Sequence, residues 1–122
     1  KTRQYAFALA AKADIVIFFL GQNDLHAEPD RWLTDYRRLI ASFPTTAKAI
    51  IVSPSWPAFA EKLRDMHDMA TVVNVRLNSS LHTKDGVHLN YHGDKIVAMS
   101  LQRGLNKVRK NMSPKTVLGN SQ

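Results

Sequence analysis

Two short segments carry side chains that can move protons and stabilise developing charge. In Asp85-Gly-Val-His88 a carboxylate precedes an imidazole by three residues across a glycine turn. A histidine acting as general base needs an acceptor at Nδ1, which fixes the tautomer and steadies the imidazolium. An Asp folded back across such a turn supplies that acceptor and leaves Nε2 free to take a proton. The same four residues also suit a plain Asp-Gly turn with an exposed histidine. In Gly21-Gln-Asn-Asp24, Asn23 offers a neutral amide donor suited to an oxyanion, and Gly21 allows a tight chain exit and a close backbone approach to a ligand. Gly, Asn and Asp are also the usual residues of a strand-end turn.

Other chemistries are narrower. With no cysteine in the chain, disulfides, thiol nucleophiles and thiolate metal sites are excluded. Asp85, His88 and His92, with His26 or His82, form an alternative metal-ligand set. Against it, Asn90 and Gly93 disfavour a helix spanning both His88 and His92. His26, His67 and His82 read as solvated loop or helix positions. Gln22 and Trp56 lie near strand ends and are possible pocket residues, Trp56 equally a core or helix-staple residue.

These segments need a scaffold. Ile15-Val-Ile-Phe-Phe-Leu20 is apolar without alternation, the pattern of a parallel strand buried on both faces. Ala49–Val52 and Thr71–Leu77 read as two further strands. Tyr5–Ala13 reads as the end of a helix. A second helix is expected from about Pro29 to Phe43, where Trp32, Leu33, Tyr36, Leu39, Ile40 and Phe43 form one stripe. A third opens at Pro57, and a last runs from about His92 to Val108. Alternating helices and apolar strands indicate an α/β fold, a parallel sheet between two helical layers. In such sheets working residues gather at the carboxyl ends of strands. Gly21–Asp24 and the polar loop Asn78–Asn90 both follow strands there.

In order and context, "DIVIFFLGQND" and "DGVHLNYHGDKIVA" resemble two sequence blocks of the SGNH (GDSL-type) hydrolase family. The resemblance covers roughly residues 5 to 105. It implies a three-layer α/β/α, flavodoxin-like fold and ester hydrolysis through a seryl intermediate, with no cofactor. It implies His88 as general base, Asp85 orienting it, Asn23 donating to the oxyanion and Gly21 letting the loop pass close to substrate. Asp24 would hold the loop. The family often has Pro after the His, where this chain has Leu89.

The larger departure is the nucleophile. No Gly-Asp-Ser occurs, and no glycine precedes Gly21. Ser53 and Ser55, after the middle strand, are the nearest serines, and neither is expected in a nucleophile elbow. The expected domain is therefore the C-terminal part of an SGNH hydrolase over residues 1–105, lacking its first strands, with a basic tail at 106–122. Lys1 is not an initiator methionine, in keeping with a chain that continues upstream. A strand as apolar as 15–20 would be hazardous as a bare edge, so a neighbouring strand is expected from a preceding N-terminal segment or a partner chain, bringing the catalytic Ser. The expected substrate is an acyl ester of a carbohydrate or lipid. The alternative is an inactive SGNH-like structural or binding subunit.

Of the net charge of +7, Lys107, Arg109, Lys110 and Lys115 give +4 in a stretch without acids. A nucleic-acid surface would spread basic residues over a folded face with aromatics between them, and no nucleic-acid partner is expected. The longest apolar run has six residues, far short of the roughly 18 needed to span a membrane.

Overall fold

In a computed structural model of the protein, residues 3–112 are described. The helices are α1 (Arg3–Ala10), α2 (Pro29–Ala41), α3 (Pro57–Leu63) and α4 (Tyr91–Lys110), and the strands are β1 (Ile15–Phe18), β2 (Lys48–Val52) and β3 (Thr71–Val73). Short 3-10 turns occupy Arg64–Met66 and Ser79–Leu81. The sheet is parallel throughout, in the order β1-β2-β3.

Side chains alternate across a strand, and β2 shows why the molecule has three layers. Ile51 joins Phe18, Tyr36, Ile40, Leu63 and Met66 beneath α2 and α3. Ile50 and Val52 point the other way and pack with Val73, Val97 and Val108 beneath α4. All three β2 residues are fully buried. α4 approaches the sheet closely because position 104 is glycine: a Cβ there would lie 2.5 Å from Val73 Cγ2.

The expected elements are present; α1 ends at Ala10 rather than Ala13, and four further differences follow. β1 is an edge strand. Val16 and Phe18 are packed, but Ile17 is 44% exposed and Phe19 and Leu20 beyond it are exposed, so the strand is not buried on both faces. No strand lies on its outer side among the described residues.

The second difference is at β3, which stops at Val73 rather than Leu77. The Ser53 N–H still donates to the Val73 carbonyl. The next amide, Val75 N–H, instead donates to the Ser53 hydroxyl at 2.9 Å. A side chain has replaced the main-chain rung, and the ladder ends.

Third, α2 ends at Ala41 rather than Phe43. At its start Pro29 occupies the first turn, and the Glu28 carboxylate caps Asp30 N–H and Arg31 N–H at 3.1 and 2.8 Å. The buried Tyr36 hydroxyl reaches the Phe18 carbonyl at 3.4 Å, tying α2 to β1, and burial pushes its phenol up from the ordinary value.

Finally, α4 runs to Lys110, two residues beyond its expected end, and buries Val108. Lys115 lies outside the described residues.

Candidate functional site

The Asn78–Asn90 loop is folded back on itself. His82 and Leu89 form an antiparallel bridge, Thr83 N–H donates to the His88 carbonyl at 2.8 Å, and Asn90 N–H donates to the Leu81 carbonyl at 2.8 Å. Asn90 locks the base of this hairpin. Its Oδ1 caps α4 by accepting Gly93 N–H at 3.0 Å, and its Nδ2 donates to the carbonyls of Ser80 and His82 at 2.8 and 3.2 Å. His88 therefore lies before α4 and His92 within it.

Asp85 and His88 occupy the hairpin tip. Asp85 Oδ1 accepts from Thr83 Oγ1, Val87 N–H and His88 N–H at 2.8, 2.8 and 2.9 Å. Asp85 Oδ2 is hydrogen-bonded to His88 Nδ1. The His88 ring above all, then the two backbone amides and the Thr83 hydroxyl, hold the Asp85 carboxyl well below the ordinary carboxylate range. Because the bound Asp85 is ionised and can only accept, Nδ1 carries the proton and Nε2 is the basic nitrogen of the neutral ring. The two side chains remain 71% and 48% exposed for His88 and Asp85, and no serine hydroxyl among the described residues is hydrogen-bonded to His88.

Gly21 and Asn23 lie where β1 leaves the sheet. Gly21 has φ of +102°, and a Cβ on it would meet Trp32 Cζ2 at 2.7 Å. Only glycine fits both the conformation and the space. Asp24 N–H closes the turn onto the Gly21 carbonyl at 3.0 Å, and Asp24 Oδ2 accepts from Trp32 Nε1 at 3.3 Å. Asn23 is exposed and, with Gly21, Gln22 and Trp32, lines a cavity of about 740 Å³ that also reaches Phe19 and Leu20 on the open side of β1. Asp85 and His88 do not line this cavity.

Gln22 joins the two turns. Its Nε2 donates to the Val87 carbonyl at 2.7 Å, across 65 residues of sequence. Asn23 and His88 are thus each next in sequence to a residue of one direct contact. Trp56 Nε1 donates to the carbonyls of Gly21 and Gln22 at 3.0 and 3.1 Å, so it is half-buried and holds the β1 exit.

His82 corrects the sequence expectation of a solvated position. It is half-buried, stacked on Trp56 with ring centroids 6.3 Å apart. Its Nδ1 lies 2.7 Å from the Asn78 carbonyl and its Nε2 2.7 Å from Ser55 Oγ. Ser55 also accepts from Gln22 Nε2 at 2.6 Å and donates its N–H to Gln22 Oε1 at 2.9 Å. Sequence reasoning missed this group because its members stand 27 and 33 residues apart. The one local hint was a polar Ser-Pro-Ser-Trp run directly after a buried strand. His26 and His67 are exposed, as expected. Among the described residues no three His, Asp or Glu side chains converge as a metal ion requires.

No family model matches the chain, and no curated protein matches it. Among solved structures it is similar to the crystal structure of a carbohydrate esterase family 3 from Talaromyces cellulolyticus. The TM-score is 0.66 at 22% identity, over 89% of this chain and 65% of that one. The chain therefore spans 65% of the length of that structure. At this identity the likeness shows the fold, an α/β arrangement shared with an esterase.

Proposed function

We propose that this chain forms the general-base and oxyanion side of a serine ester hydrolase of the SGNH type. The nucleophilic Ser comes from a preceding segment or a partner chain that pairs with the outer edge of β1. The observation that carries this reading is the Asp85–His88 turn. Its Nδ1 is held by a carboxylate, its Nε2 has no hydrogen bond among the described residues, and it is tied through Gln22 to the turn bearing Asn23.

In this reading the Ser Oγ attacks the acyl carbon while its proton passes to His88 Nε2. Asp85 stabilises the imidazolium without taking the proton. Asn23 Nδ2–H donates to the oxyanion. Collapse expels the alcohol, which takes the proton back from His88. Water then attacks the acyl-enzyme, again giving its proton to Nε2, and the carboxylic acid leaves as Ser Oγ is restored. The fold shared with a carbohydrate esterase favours an acyl group carried on a carbohydrate, with a lipid ester as the other substrate class.

A fluorophosphonate probe added to the assembly that contains this chain should label one serine outside it. His88→Ala should lower labelling and turnover by about 10³-fold or more. If no serine of the intact assembly is labelled, the chain is an inactive binding or structural subunit.

A further inference from the structure

Gln22 lies outside the proposed acid–base machinery yet has every polar atom of its side chain engaged. The direction of each bond can be worked out from one end. The Asn78 carbonyl can only accept, so His82 Nδ1 is protonated and Nε2 of the neutral ring is bare. Ser55 therefore donates its hydroxyl proton to His82 Nε2 and keeps lone pairs for Gln22. The Ser55 N–H needs an acceptor, which fixes Oε1 as the end of the Gln22 amide facing it. Nε2 then has two hydrogens for two acceptors, Ser55 Oγ and the Val87 carbonyl. The chain of donors runs without conflict between two main-chain carbonyls, one before His82 and one adjoining His88.

The backbone of Gln22 is fixed as well. Trp56 donates to its carbonyl and stacks on His82. By contrast, the hairpin tip is held internally by Asp85 and at its base by Asn90. Among the described residues, the bond from Gln22 to Val87 is the hydrogen bond by which the tip reaches the β1 rim.

From this we infer that Gln22 is a positioning residue for His88: through the Val87 carbonyl it sets where the Asp85–His88 turn stands relative to Asn23, with Ser55 and His82 as its fixed support. This rests on the hydrolase reading for its functional meaning, but not for its test. Ser55 and His82 alone would suggest a second nucleophile and base. Against that, Ser55 Oγ is already bound by Gln22 Nε2, and Ser55 does not line the cavity at Asn23.

The chain has no cysteine, so two introduced thiols carry spin labels without interference. Lys84→Cys reports the exposed side of the hairpin tip, and Arg38→Cys the end of α2. The parent should give one narrow distance distribution by double electron–electron resonance. Gln22→Met removes both donors, and Gln22→Glu keeps an acceptor for Ser55 N–H while losing the donor to Val87. Both variants should lose the single narrow distribution while circular dichroism holds. A narrow, unshifted distribution in the folded Glu variant overturns the inference, and that variant decides the matter if the Met variant does not fold. Fluorophosphonate labelling of Ser55 also overturns it, since Ser55 would then be a nucleophile and not a support. Failure of the hydrolase reading appears separately, as an assembly with no labelled serine.

Discussion

Both oxygens of Asp85 are committed to one turn, and this gives a pH dependence with a definite sign. Its carboxyl is held well below the ordinary range by His88, Val87, His88 N–H and Thr83. A group whose folded value is lowered adds stability above its unfolded value and loses it as pH falls through the folded one. Free carboxylates protonate near about pH 4. Amide exchange at Val87 and His88 should therefore remain protected as pH falls through that range, with protection lost only at more acid pH. Loss of protection near the ordinary value would show that the turn is not held by the ionised carboxylate. Asp85→Asn keeps the shape but offers His88 an amide, which can present the wrong hydrogen-bonding end. Under the proposed hydrolase reading, this variant should lower turnover of the assembly by about 10²- to 10⁴-fold, measured as kcat on an acyl ester.

At the scale of elements, α4 and the hairpin before it decide where His88 stands. Gly104 lets α4 lie against Val73. Gly104→Ala places a methyl group where 2.5 Å separates it from Val73 Cγ2. Overpacking of this kind costs about 1–3 kcal/mol, which urea unfolding should show as a lower midpoint at unchanged slope. Most of these elements could be read in the chain. The stripe from Trp32 to Phe43 located α2, Pro57 opened α3, and the run Ala49–Val52 located the central strand. Local periodicity reports such features because each repeats within a few residues. The end of β3 was not legible, since it depends on the Ser53 hydroxyl meeting Val75 N–H across 22 residues. His82 was misplaced for the same reason. Its partners Ser55 and Trp56 belong to another element, and a lone histidine in a polar loop carries no periodic signal. The Asp85–His88 contact was legible because all of it lies within four residues.

For the whole molecule, the open side of β1 dominates behaviour in solution. Ile17, Phe19 and Leu20 are large, apolar and exposed, at a strand that has no partner on its outer side among the described residues. Bare apolar edges pair with other chains. The chain studied alone should self-associate with rising concentration, and Ile17→Lys should shift sedimentation toward the monomer. A parent that stays monomeric at all concentrations would show that this edge is protected in some other way. The ladder between β2 and β3 ends differently, at Ser53. There the hydroxyl takes Val75 N–H, and Pro54 follows at once. Before Ser53 the path of the chain is dictated by its neighbours in the ladder. After it, side-chain contacts take over: Ser55 with Gln22, Trp56 with Gly21, His82 with both Ser55 and Trp56. Ser53 thus marks a seam between a generic scaffold and a bespoke rim. A designer moving this rim onto another parallel sheet would have to cut before Ser53, because a transplant beginning at Pro54 would leave its first anchor behind.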